Sequence, residues 1–349
     1  MEKNNYAGVL FLAQHNFSWI TGGGDDSIIH GLEEGFVNVL ITKDKGFIVT
    51  NNIEMPRVFK EECEGLGLEA LEYNWTEDNR EGLIKDIIDG GRLAADLPDR
   101  FGTPEAGRIN LLRVPLTDNE VSRYRELAKM CTDAMDETME AVEPGLSEYE
   151  IQGIIGGKLM AEGIYPVVLL VGTDERIFNF RHPMPTEKKL DKYCMVVICA
   201  QKWGLILSMT RLVHFGTLPD EIRKKYEALH RVDMALITTT KPGKKLSDVF
   251  EAGKREYREA GYENEEFKHF QGGTGGYLTR EQGLSPDSDY VVREGEIFAH
   301  NPSITGTKIE DSILVKGGNY DVLTLSGKWP SKDYEYSGVI IKRPEILIR

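Results

Sequence analysis

One arrangement of residues occurs twice in this chain and constrains its fold more than any other feature. Thr117-x-x-Glu120 opens a stretch in which Val121, Tyr124, Ala128, Cys131, Met135 and Met139 recur at three and four residues, one apolar helical stripe. Pro144-Gly145 ends it, and Ser147-x-x-Glu150 starts a second helix through IQGIIGGKLMAEGI. The second copy reads EIRKKYEALHRVDMALITT, then Pro242-Gly243, then LSDVFEAGKREYREAGY. Strand-like runs follow each helix pair: CMVVICAQKWGLILSMTR in the first copy, EIFAHNPSITGTKIEDSILV in the second. The shared order, with little residue identity, predicts an internally duplicated α+β domain from about residue 117 onward. Duplication matters chemically, because a site can form where the strands of both halves converge.

The preceding residues read differently. AGVLFLAQ, NVLITKDKGFIVT and RLAADLP are short apolar runs, and NREGLIKDIIDG has helical spacing. This predicts a small α/β domain over 1–115, followed by the duplicated domain over 116–349, with Pro115 at the boundary. A chain of 349 residues accommodates both. Within the second domain, AQKWGLILSMTR predicts two buried strands joined by a tight turn at Gly204.

Charge and composition narrow the partners. A net charge of −15 argues against nucleic acid, whose phosphates demand a basic surface. No apolar run approaches membrane-spanning length, and MEKNNYAGVLFLAQHN lacks a basic flank and a cleavage site. The expectation is a cytoplasmic protein with no membrane partner. Cys63, Cys131, Cys194 and Cys199 form no C-x-x-C pair and are expected reduced and buried; for Cys199 a core thiol is preferred over a nucleophile.

The motifs HNFSWITGG, PGLSEYEI, RHPMPT, GLILSMTR, GGTGGYLTRE, NPSITG and KIEDSILV, in this order and spacing, resemble the creatinase/aminopeptidase P/prolidase family. The resemblance covers nearly all of the chain. It implies a creatinase-like α/β N-terminal domain, a duplicated pita-bread C-terminal domain, and a hydrolase acting on C–N bonds. It also implies a homodimer, the common state of members with such an N-terminal domain.

The family's metallopeptidases hold two metal ions with two Asp, one His and two Glu. Their places here are taken by Val197, Ser208, Gly273, Asn301 and Glu310, so one ligand in five remains. A divalent transition metal needs several anionic or imidazole donors. No metal ligand and no cofactor are therefore assigned, and a metal-independent reaction is expected. The alternative is a metal-dependent Xaa-Pro aminopeptidase or dipeptidase that holds Mn or Zn through unusual ligands such as His269, Asn301 and Glu310.

Four histidines, His182, His214, His269 and His300, lie near the inferred site. His182 stands in NFRHPMPT, the loop where the resemblance puts the catalytic His of creatinase; an imidazole there takes a proton from water and returns it near neutral pH. Its rival role is loop packing. Glu310, with no metal beside it, needs a cation or a proton: a cationic substrate group, or an ion pair with Arg211. Arg280 stands where the family has a substrate-binding His and suits a substrate carboxylate, or it is a surface residue. Glu281 follows it and is a second candidate for a cationic group. His269 and Gln271 flank a glycine turn that permits close backbone approach, and Asn301 offers hydrogen bonds where a metal ligand stood. Ser208 has no identifiable His-Asp partner for nucleophilic chemistry.

His182 and Glu310 are thus the catalytic candidates, and Arg280, Glu281, His269, Gln271, Asn301 and Arg211 the substrate-binding ones. The expected substrate is a small amino-acid derivative, a guanidino compound or a short peptide. A non-catalytic pita-bread binding protein is the remaining alternative.

Overall fold

The computed structural model describes residues 1–98 and 102–349. They fall into two compact units, Met1–Arg113 with Trp203–Leu205, and Val114–Lys202 with Ile206–Arg349.

The first unit is a six-stranded sheet in the order β4-β3-β2-β1-β5-β6. Its strands are β1 (Gly8–Ala13), β2 (Glu34–Thr42), β3 (Gly46–Asn51), β4 (Glu69–Tyr73), β5 (Leu93–Ala95) and β6 (Thr103–Pro104). Its helices are α1 (Gln14–Thr21), α2 (Met55–Arg57), α3 (Arg80–Ile88) and α4 (Ala106–Asn110). Because side chains alternate along a strand, β1 feeds two cores: Phe11 packs with Val39 and Ile48, while Leu10 and Leu12 pack with Leu40. A strand buried on both faces reads as an unbroken apolar run, which is how GVLFLA appears in the sequence.

The second unit opens with α5 (Asp118–Ala141), α6 (Glu148–Ala161), β7 (Tyr165–Thr173), α7 (Glu175–Asn179), β8 (Tyr193–Lys202) and β9 (Leu205–His214). Its second half repeats the plan with α8 (Asp220–Thr239), α9 (Leu246–Glu259), β10 (Gly272–Thr274), β11 (Gln282–Gly283) and β12 (Glu296–His300). Then come β13 (Ser303–Ile304), β14 (Thr307–Lys308), β15 (Asp311–Lys316) and β16 (Asn319–Val322), the hairpin β17 (Ser331–Tyr336) and β18 (Val339–Pro344), and β19 (Leu347–Ile348). The duplicated α+β plan is therefore present, and both Ser/Thr-x-x-Glu capping boxes form as the sequence predicts.

Strands β9, β8 and β7 of the first half form a sheet with the C-terminal β19, in the order β19-β9-β8-β7, and the second half forms the sheet β11-β10-β12-β15-β16. Trp203 and Gly204 both have positive φ, 53° and 75°, as a type I′ hairpin turn requires. The two halves meet at two bridges: Ile206 N donates to Gly276 O (2.8 Å) and Thr210 N to Glu310 O (3.0 Å). The second of these brings β9 against Glu310.

A chain of buried charges runs beside this junction. Asp311 Oδ1 accepts from Arg211 Nη2 (2.9 Å) and Thr324 Oγ1 (2.6 Å), and Asp311 Oδ2 accepts from Arg343 Nη2 (2.9 Å). Arg343 Nε also donates to Asp233 Oδ2 (2.6 Å). Each of the four charged residues is at least 98% buried. Burial pushes the Asp233 carboxyl up to about 6, against the pull of Arg343. Arg211 pairs with Asp311 and not, as one sequence reading had it, with Glu310. The reason is strand alternation: adjacent residues point to opposite faces, so Glu310 and Asp311 serve different neighbourhoods.

His300 is buried in the same unit. Thr240 donates its hydroxyl proton to Leu236 O (2.8 Å), so its oxygen accepts from His300 Nε2 (2.9 Å). His300 Nδ1 has no partner, and burial with Arg280 and Arg343 nearby holds the imidazole down to about 3. The unfolded chain takes up this proton near 6.5 and the folded protein does not, so stability falls as pH drops below 6.5. Between pH 7 and pH 5 this one group should remove about 2 kcal/mol. The check is urea unfolding at both pH values: His300→Gln should lose less than the unsubstituted protein by that amount, and equal losses would refute the assignment.

All four cysteines are buried and none is in a disulfide. Among the described residues, no helix is long and apolar enough to cross a membrane.

Candidate functional site

Glu310 lies at the convergence of the two halves, with its side chain 2% exposed. Lys308 Nζ sits 2.8 Å from its Oε2, and Arg280 Nη2 sits 3.0 Å from its Oε1. Thr210 Oγ1 also donates to Oε2 (2.8 Å). Burial raises the carboxyl pKa, but Lys308 and Arg280 overcome it and hold the group down to about 2. The expectation that Glu310 awaits a cationic substrate group is therefore corrected. Its counter-charges are supplied by the chain itself.

Arg280 spans two of the five positions that the resemblance gives to metal ligands, Ser208 and Glu310. Its Nη1 donates to Ser208 Oγ (3.2 Å) while its Nη2 holds Glu310. Its side chain is only 12% exposed, so it is not a surface residue. Ser208 Oγ donates onward to Cys199 Sγ (3.3 Å), and burial followed by Glu310 raises the Cys199 pKa, which keeps the thiol protonated. Val197 belongs to the apolar core of the unit. At Gly273 a Cβ would fall well inside contact distance of the Gln282 carbonyl oxygen across the β10–β11 pairing, so the backbone there has no room for a side chain.

These residues do not fit a two-metal centre. Valine, glycine and an arginine-bound serine occupy three ligand positions, and the surviving carboxylate carries two protein cations where a metal ion would bind. Among the described residues, no three His, Cys, Asp or Glu are grouped to hold a metal ion.

Two imidazoles stand beside this carboxylate. His182 Nε2 lies 3.2 Å from His269 Nε2, the rings meeting edge to face at 5.0 Å. His269 Nδ1 lies 3.1 Å from Asn301 O and 3.1 Å from Ser303 Oγ. A carbonyl oxygen only accepts, so the network assigns the His269 proton to Nδ1. His269 Nε2 is then the acceptor, His182 Nε2–H donates to it, and His182 Nδ1 keeps its lone pair. His269 is buried and His182 exposed. Burial, then Lys308, lowers both rings from their ordinary value, partly opposed by Glu310; His269 reaches about 3. At neutral pH both rings are neutral.

The other sequence candidates are placed as follows. Gln271 is buried, accepting from Tyr257 Oη (3.1 Å) and donating to His269 O (2.8 Å) and Glu266 O (3.2 Å), so it braces the His269 turn. Glu281 Oε1 accepts from Tyr277 N (3.1 Å) and stabilises the turn after the glycines. Asn301 gives its main-chain oxygen to His269, and its buried Oδ1 has no donor. Arg211 belongs to the buried charge chain and is saturated there. His214 approaches Gly216 O (3.3 Å) and packs on Tyr193, and His300 is held by Thr240, so neither joins the pair.

Lys308 is the residue that sequence reading missed. It ends β14, two positions before Glu310 in KIEDSILV, and the chain between the strands brings its Nζ to Glu310 Oε2. That Lys-x-Glu spacing was the available signal.

Comparison with known proteins agrees with this architecture. An uncharacterized peptidase of Staphylococcus haemolyticus is 25% identical over 245 residues, 66% of this chain and 69% of that protein. A prolidase from Pyrococcus horikoshii superposes with a TM-score of 0.79 at 18% identity, over 93% of this chain and 96% of that one. An Xaa-Pro dipeptidase from Bacillus anthracis superposes with a TM-score of 0.75 at 19% identity, over 98% and 95%. Both superpositions bear on the fold, which is the pita-bread architecture expected from the sequence. The sequence model of metallopeptidase family M24 matches residues 122–317, more than half of the chain. The chain belongs to metallopeptidase family M24, and the hydrolase class expected from its sequence is the class of that family.

Proposed function

We propose that this protein hydrolyses a C–N bond in a small amino-acid derivative or short peptide without a metal ion, with His182 as general acid and base. The observation that carries this reading is the closure of Glu310 by Lys308 at 2.8 Å and Arg280 at 3.0 Å, beside a neutral His182–His269 pair. A metal-bound hydroxide would need a vacant anionic cage, and the cage here holds protein cations. His182 Nδ1 removes a proton from water, and the water oxygen attacks the carbonyl or amidine carbon. His182 then returns the proton to the departing nitrogen as the C–N bond breaks. His269 Nε2 accepts from His182 Nε2–H throughout, orienting the ring and favouring its protonated form during the step. The Lys308 and Arg280 cations stabilise the negative charge that develops on the attacked group.

The test is turnover after chelation. Protein treated with EDTA and desalted is screened against dipeptides and a metabolite library by mass spectrometry. Activity that survives chelation and is not raised by added Mn²⁺ is the expected result. Loss of activity restored by Mn²⁺ would overturn the reading and favour the metal-dependent Xaa-Pro peptidase. No turnover of any compound would favour the binding protein.

A homodimer in a reducing cytoplasm is part of the same reading; the four unpaired cysteines suit such a compartment, and light scattering tests the dimer.

A further inference from the structure

We infer that Tyr257 is a positioning residue: its buried hydroxyl holds the two segments around His269 so that this ring carries its proton on Nδ1 and offers Nε2 to His182. The inference rests on the hydrolase reading and adds to it the group that keeps the imidazole pair in working order. Tyr257 projects from α9 and is fully buried in the apolar core of the second unit, where a phenylalanine would fill the same space. Its hydroxyl oxygen accepts from Ser303 N (2.9 Å), and its one proton is shared between Gln271 Oε1 (3.1 Å) and Ser303 O (3.1 Å). Burial raises the phenol pKa, so that proton stays in place.

Each of these contacts leads back to His269. Ser303 presents its Oγ, and Asn301 two positions earlier its main-chain oxygen, each 3.1 Å from His269 Nδ1. Gln271 Nε2 donates to His269 O (2.8 Å). One hydroxyl thus ties the main chain of His269 to the acceptors of its ring. Which nitrogen of an imidazole carries the proton is set by the hydrogen bond that the other makes. Without firm acceptors at Nδ1, His269 would also take the form with its proton on Nε2, and an N–H there has nothing to accept from His182 across 3.2 Å. His182 would then carry its own proton on Nδ1, the nitrogen that has to be free to take one from water. Asn301 N also donates to Gln271 O (3.3 Å), so the two segments stay joined when the hydroxyl is removed.

The test is Tyr257→Phe on the full chain, read by ¹⁵N imidazole spectra of protein labelled at histidine, with the His269 signals assigned by their loss in His269→Gln. At pH 7 the unsubstituted protein should show His269 as a single neutral form protonated on Nδ1, and Tyr257→Phe should show a mixture with the Nε2–H form. On a substrate found in the screen, kcat should fall about tenfold, the upper end of one net hydrogen bond, with KM within about twofold because Tyr257 is shut off from any ligand. Tyr226→Phe is the control: it deletes another hydroxyl of the same core, one that donates to Pro344 O (2.9 Å), and should move neither readout. Gln271→Met cuts the same chain of contacts from its other end and should act as Tyr257→Phe does, which keeps the test decisive where Tyr257→Phe fails to fold. A His269 proton on Nε2 in the unsubstituted protein, unaltered His269 signals in the variants, or an equal change in Tyr226→Phe would overturn the inference. Full kcat in a Tyr257→Phe protein with mixed His269 forms would overturn it too. The spectra need no substrate, so the expected His269 signals in a protein without turnover would count against the hydrolase and not against the contacts of Tyr257.

Discussion

Replacing His182 by alanine should lower kcat by about 10²–10⁴-fold on any substrate found in the screen, the usual contribution of a general acid–base. The ring is exposed, so its removal leaves the core intact and thermal unfolding should be unchanged. Its lone-pair nitrogen is the one not bonded to His269, and His214 and His300 are held elsewhere, by Gly216 O and Thr240. The pH profile supplies a readout that a packing role would not move. Catalysis needs the neutral ring, and burial with Lys308 lowers the His182 pKa, so the acid limb of kcat/KM should lie below pH 6.5. Lys308→Met removes one lowering influence and should shift that limb upward. Undiminished turnover by His182→Ala would show that the proton is handled elsewhere.

The second large effect is structural. Asp311→Asn removes the anion that holds both Arg211 and Arg343 in the interior. Arg343 then keeps Asp233, while Arg211 is left with the carbonyl oxygens of Thr210 and Thr324 and no carboxylate. Breaking a buried ion network from one side costs about 3–5 kcal/mol, because the partners keep their desolvation penalty and lose their compensation. The loss should appear as a lower urea midpoint for the transition of the second unit, followed by near-ultraviolet circular dichroism. A change within about 0.5 kcal/mol, the range of an ordinary surface substitution, would show that the arginines find other acceptors. The neighbouring Glu310 makes a useful contrast. Glu310→Gln leaves Lys308 and Arg280 with an amide oxygen in place of a carboxylate, so its first consequence should be on the site.

The two substitutions fall on adjacent residues and read out different neighbourhoods. That separation also marks how far the sequence could be read. The residues KIEDSILV show a lysine two positions before Glu310 and an aspartate after it. What the residue string lacks is the identity of the opposite wall. Arg280 reaches Glu310 from a turn thirty residues earlier, and His269 reaches His182 across 87 residues. Gln271 and Glu281 looked equally suited to a ligand until their neighbours turned out to be Tyr257, His269 O and Tyr277 N.

By itself the sequence determined the local and periodic features. Helix starts follow from Ser/Thr-x-x-Glu boxes, helix ends from Pro-Gly pairs, and the strand hairpin from Gly204, because each depends on residues within a few positions of one another. Their repetition determined the duplicated architecture, and the resemblance drew attention to Val197, Ser208, Gly273, Asn301 and Glu310 as the positions to inspect. Only the tertiary structure decided which cations neutralise Glu310, which arginine belongs to the core, and which two of the candidate histidines touch. Ion pairing and proton transfer act over about 3 Å through space, and chain separation carries no information about that distance.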